Sequence, residues 1–369
     1  MRFPEFSDPW QQTTLGEIGE IRMCKRILAN QTNKEGGIPF FKIGTIGKKE
    51  DSYIPETLFH EYKSKYPYPD KGQILITCAG TIGRCLVFDG SDAYYQDSNI
   101  VWIDNEESSI TNQYLFYVLN GTDWSKLNTS TIVRLYNDDL RALSISLPSL
   151  EEQEKIAEFL SLIDERIETQ RQTIEERKKQ KKALLHQIFS QSLRFPDFSD
   201  PWQQTTLGEV CTIKTGKLDA NAMVENGSYP FFTCAKQTYQ TDTYSFSGEA
   251  ILIAGNGEVG LTKYYNGKFN AYQRTYVLQS FSSDIILLFI RNHIDYALPK
   301  RIISFLNGSA MPYITLSTLS DMPISLPSLE EQRKIAELLA IFDERIEAEE
   351  ALLKCYKAQK RYLLRQMFV

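Results

Sequence analysis

An eight-residue stretch, Ser146-Leu-Pro-Ser-Leu-Glu-Glu-Gln153, returns unchanged as Ser325-Leu-Pro-Ser-Leu-Glu-Glu-Gln332. Each copy opens a long helical pattern. Pro148 resists continuation of whatever precedes it. Ser149 is a favourable N-cap, and Glu152 three residues on completes a capping-box pattern. Glu151 and Glu152 put negative charge in the first turn, where the helix dipole favours it. The apolar residues that follow recur at alternating spacings of four and three. One row reads Leu160, Ile167, Ile174, Lys181, Ile188, and the other Ile156, Ile163, Gln170, Arg177, Leu184. The second copy gives Leu339, Ile346, Leu353, Lys360, Met367 and Ile335, Phe342, Glu349, Tyr356, Leu363. That is a heptad seam, duplicated position for position, polar members included, and it predicts that the two helices form a coiled coil. Helices of about 40 residues at about 1.5 Å per residue reach roughly 60 Å, which suits a spacer.

The duplication extends to the whole chain. Arg2 to Ile18 returns as Arg194 to Val210, with only Glu5/Asp197 and Ile18/Val210 different. These proline- and aromatic-bearing arms read as packed, extended segments with a turn. Between arm and helix the copies diverge, yet they keep landmarks. Pro39-Phe-Phe41 matches Pro230-Phe-Phe232, and Gly72 to Ile76 matches Gly248 to Ile253. Gly80-Thr-Ile-Gly83 matches Gly257-Glu-Val-Gly260. Gln96 matches Gln273, Ser130 matches Ser309, and Leu140 matches Leu319. Short β-branched and aromatic runs punctuated by glycine indicate strands and turns. Helical pattern is limited, as at Thr111 to Asn120 and Ile285 to Ala297. The expected fold class is α+β: two tandem mixed α/β domains, each followed by a long helix. The boundaries read as 1–148 and 193–327 for the variable domains with their arms, and 149–192 and 328–369 for the helices.

A net charge of −6 argues against a protein that grips nucleic acid unaided, since phosphate neutralisation supplies most non-specific affinity. The six cysteines show no CxxC spacing and there are three histidines, so a metal site is not expected. No apolar signal core opens the chain and no apolar run is long enough to span a bilayer, so a cytoplasmic location is expected. No phosphate-loop pattern is present. Gly80–Gly83 and Gly257–Gly260 are too short for a dinucleotide fingerprint and read as strand-end turns, where glycine supplies positive φ. Ser7-Asp-Pro-Trp10 and Ser199-Asp-Pro-Trp202 read as structural turns. His60, His186 and His293 read as surface or packing residues.

The remaining chemistry is readout. Thr45, Lys48, Lys49, Thr81, Arg84, Gln96 and Arg134 in the first half are residue types that pair with base edges and phosphates. So are Lys214, Lys217, Lys236, Gln237, Tyr239, Asn256, Glu258, Lys263, Gln273 and Arg274 in the second. Each alone reads as a solvated surface residue, and together they outline a DNA face. An enzyme in its own right would place a carboxylate pair or nucleophile in both halves, and none recurs among the landmarks. A coiled-coil scaffold with two protein-binding heads is the alternative.

The arms with Leu15-Gly-Glu-Ile18, the Gly80–Gly83 turn, Leu147-Pro-Ser-Leu-Glu-Glu-Gln153 and Ile156-Ala…Asp164-Glu-Arg-Ile167, each with its second copy, resemble the specificity subunit of a type I restriction–modification system. The resemblance covers essentially the whole chain. It implies that each variable domain is a target-recognition domain reading one half of a split, asymmetric double-stranded DNA site. It implies that the two helices pack antiparallel and set the gap. It also implies a non-catalytic chain that binds no cofactor itself. Methylation subunits on both sides would carry S-adenosylmethionine, and restriction subunits, where present, ATP and magnesium.

Overall fold

The computed structural model describes residues 2–124, 134–305 and 313–368. Ser130 and Ser309 lie outside the described residues. The chain divides into two compact units, Met1–Arg171 with Leu352–Val369, and Gln172–Ala351. Part of each long helix belongs to each unit.

In the first unit the arm runs extended into β1 (Gln11–Thr14), a helical turn α1 (Leu15–Ile18) and β2 (Glu20–Arg22). Then come β3 (Ile38–Phe41), β4 (Tyr53–Ile54), α2 (Glu56–Lys65), β5 (Ile74–Thr77), β6 (Cys85–Val87), β7 (Tyr94–Tyr95) and β8 (Ile100–Asp104). The segment closes with α3 (Asn112–Gly121), α4 (Asn137–Arg141) and β9 (Ser144–Leu147), which delivers the chain to α5 (Leu150–Phe189). An antiparallel sheet of order β2-β8-β5-β6 forms the centre, and β4-β3-β7 forms a second sheet with β3 and β7 parallel. Period-2 alternation gives the central sheet two buried faces. Ile74, Ile76, Val101 and Ile103 point to α3 and the start of α5, whereas Leu75, Ile100 and Trp102 point to Phe40, Phe59 and Tyr94.

The second unit repeats the plan with β10 (Gln203–Thr206), α6 (Leu207–Val210), β11 (Thr212–Thr215), β12 (Tyr229–Phe232), β13 (Tyr239–Thr241), β14 (Phe246–Ala254), β15 (Thr262–Ala271) and β16 (Thr275–Gln279). The helices α7 (Leu287–Phe305) and α8 (Leu316–Ser320) follow, then β17 (Pro323–Leu326) and α9 (Leu329–Met367). Here one continuous sheet has the order β11-β16-β14-β15-β12-β13. The ten-residue β15 pairs with β14 along its length and with β12 at Asn270 and Ala271. In the first unit the corresponding chain is broken into β6 and β7, so the sheets stay separate. The second variable segment is shorter because it lacks a counterpart of α2: β13 leads to β14 directly. The helix expected over Ile285 to Ala297 starts at Leu287 and runs on to Phe305 through Pro299.

The repeated Glu-Glu-Gln has a structural reason. Ser149 caps α5, accepting the Glu152 N–H at 3.3 Å. The Glu152 carboxylate does not turn back to complete a capping box. It is almost fully buried and takes the Arg2 guanidinium through two 2.7 Å hydrogen bonds and the Trp10 indole N–H at 3.2 Å. The neighbouring Gln153 accepts the Thr111 N–H at 2.9 Å and donates to Ser109 O and Pro148 O at 2.8 and 3.0 Å. Glu331 holds Arg194 at 2.8 and 2.9 Å, and Gln332 binds Ile286 N, Asp284 O and Pro327 O in the same pattern. The signature thus clasps the arm with one side chain and staples the loop before α3 or α7 with the next.

The helices pair antiparallel within each unit. In the first, Lys360 Nζ donates to Asp164 at 2.5 Å and Arg166 lies over Tyr356. In the second, Lys181 donates to Asp343 at 2.6 Å and Lys178 to Glu350 at 2.7 Å. From Asp164 to Lys181, and from Lys360 back to Asp343, is 17 residues in each case, so the register is kept. The seam lysines are therefore satisfied by the duplicated Asp-Glu-Arg-Ile aspartates. Each helix is acidic in its first half and basic in its second, as in Glu337, Glu344 and Glu347 against Lys354, Lys357 and Arg361. Antiparallel packing sets opposite charges together, and parallel packing would set like against like.

His293 lies buried in the second unit against Phe189 and Phe289, and burial holds its pKa down at about 4. The unfolded imidazole takes a proton below about pH 6.5, and the folded one does not until about 4. Stability is therefore full above that window and is lost as pH falls through it. Between pH 7.5 and 5 the urea-unfolding free energy of the second unit should fall by about 2 kcal/mol more in the wild type than in His293→Phe. Equal pH dependence in the two proteins would remove His293 from the account.

Candidate nucleic-acid interface

The central strand of each sheet, β5 or β14, ends in a turn of the same construction. Thr77 N–H donates to Arg84 O at 3.0 Å and Gly83 N–H to Thr77 O at 2.8 Å. Ala254 N–H donates to Leu261 O, and Gly260 N–H to Ala254 O, both at 2.9 Å. Gly80 and Gly83 have φ of 68° and 73°, and Gly257 and Gly260 of 60° and 82°, the left-handed region glycine tolerates. A Cβ at Gly83 would also collide with the Trp124 ring. A further strand-like segment closes on each turn, with Leu135 N–H to Cys78 O at 2.8 Å and Ile314 N–H to Gly255 O at 2.9 Å.

In the first unit three segments meet at this turn. Thr45 Oγ1 accepts the Lys42 N–H at 3.0 Å and shapes the 42–48 turn, and Lys48 Nζ reaches Gly44 O at 3.2 Å. Gln96 Oε1 accepts the Ile43 N–H at 3.3 Å. The Arg84 guanidinium lies beside Gly47, and Ile43 lies beside Gly80. Arg134 donates to Ser98 O and Oγ at 3.4 and 3.2 Å and lies against the Tyr136 ring. Thr81, Lys48 and Lys49 are exposed at this edge. Thr45 and Gln96 are thus spent largely on shaping the loop.

In the second unit the 234–238 loop is tied to the turn. Glu258 N–H donates to Cys234 O at 3.2 Å, and Glu258 Oε1 accepts the Lys236 N–H at 3.3 Å. Lys263 points inward: its ammonium donates to Ala235 O at 2.9 Å, Gln237 O at 3.3 Å and Thr238 Oγ1 at 3.4 Å. Burial lowers its pKa from the ordinary lysine value, with the Glu258 charge opposing. It orders the loop rather than offering a charge to solvent. Lys236 and Gln237 are exposed, Asn256 is half-buried at the turn, and Tyr239 opens β13. Gln273 and Arg274 stand on the other side of Gly255, beside a cleft of about 300 Å³ lined with Thr215 and Tyr276. Lys217 follows β11 nearby, whereas Lys214 stands on β11 opposite Val277, outside this set.

One sequence match shifts. Gln96 N–H donates to Phe41 O and Tyr272 N–H to Phe232 O, each at 2.9 Å, so Gln96 corresponds to Tyr272 and not to Gln273. The exposed Tyr136 and Tyr313 beside the closing segments escaped the sequence reading, because no glycine or repeated motif marks them.

Burial pushes the Cys24, Cys78, Cys85 and Cys211 thiols up to about 12, so each is protonated at neutral pH. Among the described residues no group of acidic, histidine and cysteine side chains is arranged to hold a metal ion. No described helix is long and apolar enough to cross a membrane.

The model of the family described as type I restriction modification DNA specificity domain matches residues 7–177 and again 199–354. The chain belongs to this family. Over 146 residues it is 56% identical to a protein of Haemophilus influenzae described as a putative type I restriction enzyme specificity subunit. That match covers 40% of this chain and 38% of the relative. Over 155 residues it is 41% identical to the EcoDI specificity subunit of Escherichia coli, covering 42% and 34%. The chain thus matches little more than a third of the length of these two relatives. The S subunit structure from M. genitalium superposes with a TM-score of 0.61 at 19% identity, over 100% of this chain and 99% of that one. That likeness speaks for the specificity-family fold: two mixed α/β domains and a packed pair of long helices.

Proposed function

We propose that this specificity-family chain is the non-catalytic, sequence-reading subunit of a type I restriction–modification complex. Residues 1–148 and 193–327 are its two recognition domains, each reading one half of a bipartite, asymmetric DNA site. Residues 149–192 and 328–369 form the helices that set the gap. Methylation subunits, two per chain, supply S-adenosylmethionine chemistry, and restriction subunits, where present, supply ATP- and magnesium-dependent steps. One observation carries the reading. Both units build the same turn on the same strand with the same hydrogen bonds, yet place different side chains at its matching tip positions: Ala79 and Thr81 in one, Asn256 and Glu258 in the other. Shared geometry with divergent tips is what two independent base readers require.

The acidic overall charge fits a chain whose partners share the phosphate contacts. The complex with a methylation subunit should bind its DNA with an affinity that falls steeply with salt. Absent or salt-independent DNA binding would favour a scaffold with two protein-binding heads. Replacing Lys48 and Lys49 together by alanine should weaken selection at one half-site by about tenfold and leave the other intact. Equal loss at both half-sites, read from methylation rates on substrates altered in either half, would count against independent readers.

A further inference from the structure

Phosphates repel a carboxylate, so one on the edge proposed above to read DNA has to serve a purpose other than backbone contact. Glu258 stands exposed at the tip of the 255–260 turn. Its backbone N–H is bound to Cys234 O and its Oε1 to the Lys236 N–H. The loop that Lys263 orders through Ala235, Gln237 and Thr238 therefore also aims the Glu258 side chain. Oε2 has no hydrogen-bond partner among the described residues. The shared turn geometry puts neutral Thr81 at the matching place in the first unit, so the scaffold does not need an acid there.

We propose that Glu258 makes the second recognition domain select a base pair that offers an exocyclic amino group in the major groove, cytosine N4 in the first instance. An ionised carboxylate can only accept hydrogen bonds. The donors that base edges present in the major groove are the amino groups of cytosine and adenine, and Glu pairs with cytosine N4. The inference rests on the DNA-reading role proposed above and assigns one residue to one base pair within it.

The test is a map of methylated sites made by the full chain with its methylation subunit, as wild type and as Glu258→Gln. Glutamine keeps an oxygen to accept the Lys236 N–H, so the loop stays in place, which an unchanged thermal melt would verify. It removes the charge and adds an amide donor, which suits adenine. The expected result is a change of about tenfold or more in preference at one base pair of one half-site, from cytosine towards adenine, with the gap and the other half-site unchanged. An identical motif in the variant overturns the inference. So does a uniform rise in DNA affinity without a change of motif, which would mean that Glu258 only repels phosphate. Loss of methylation at every sequence by a folded variant also overturns it. A wild-type complex that yields no motif removes the DNA-reading proposal itself, which separates the two failures.

Discussion

A chain carrying Gln153→Leu should melt roughly 10 °C earlier than the wild type in its first unit. Gln153 is fully buried and makes three hydrogen bonds, to Thr111 N, Ser109 O and Pro148 O. Leucine has a similar volume, so the change tests the polar contacts rather than the packing. It removes the partner of the half-buried Thr111 N–H and of the Ser109 and Pro148 carbonyls, of which only the Pro148 contact is buried and Ser109 is exposed to water, and an unsatisfied buried group costs about 1–3 kcal/mol. A total of about 3–5 kcal/mol converts at about 2–4 °C per kcal/mol in a domain of this size. Gln332→Leu should do the same to the second unit, because it holds the loop before α7 through the same three kinds of contact. A fall of less than about 1 kcal/mol in urea unfolding of either variant would mean that the staple is dispensable.

Removing one heptad from each long helix, Ile167–Thr173 in α5 with seven residues of α9, should shorten the gap in the methylated site by about 3 base pairs. Seven residues span roughly 10 Å along a helix, and a base pair about 3.4 Å along a duplex. A whole heptad keeps the seam in phase, whereas five or six residues would rotate it away from its partner. The paired charges constrain the choice: Asp164–Lys360 and Lys181–Asp343 must both survive. The half-site sequences should not change. An unchanged gap from a folded, active complex would mean that the helices do not set it.

Much of this organisation is legible in the sequence because the chain states it twice. Duplicated heptads give the helix pair, and the duplicated glycines give the turns with positive φ at Gly80, Gly83, Gly257 and Gly260. The signature's deeper purpose is not legible from spacing. Glu152 fits a capping box by position, but its carboxylate is taken by Arg2 and Trp10, residues about 150 positions away that only the folded arm brings near. Lys263 reads as a surface cation, yet strand pairing with Leu252 places it under the 235–238 loop. Gln96 and Gln273 look equivalent because each follows a tyrosine, and the ladder shifts the match by one residue, which in a strand exchanges faces. The candidate site fares in the same way: Lys48, Lys49, Thr81, Lys236 and Gln237 are exposed at the turns, while Thr45, Gln96 and Lys263 prove to shape them.

The most direct test of the central claim is a genome-wide map of methylated adenines in cells expressing this chain with its methylation subunit. The account predicts one split motif, present only when the chain is present and altered in one half by changes at Lys48 and Lys49. A folded complex that methylates no defined motif, or the same motif with the chain omitted, would contradict it.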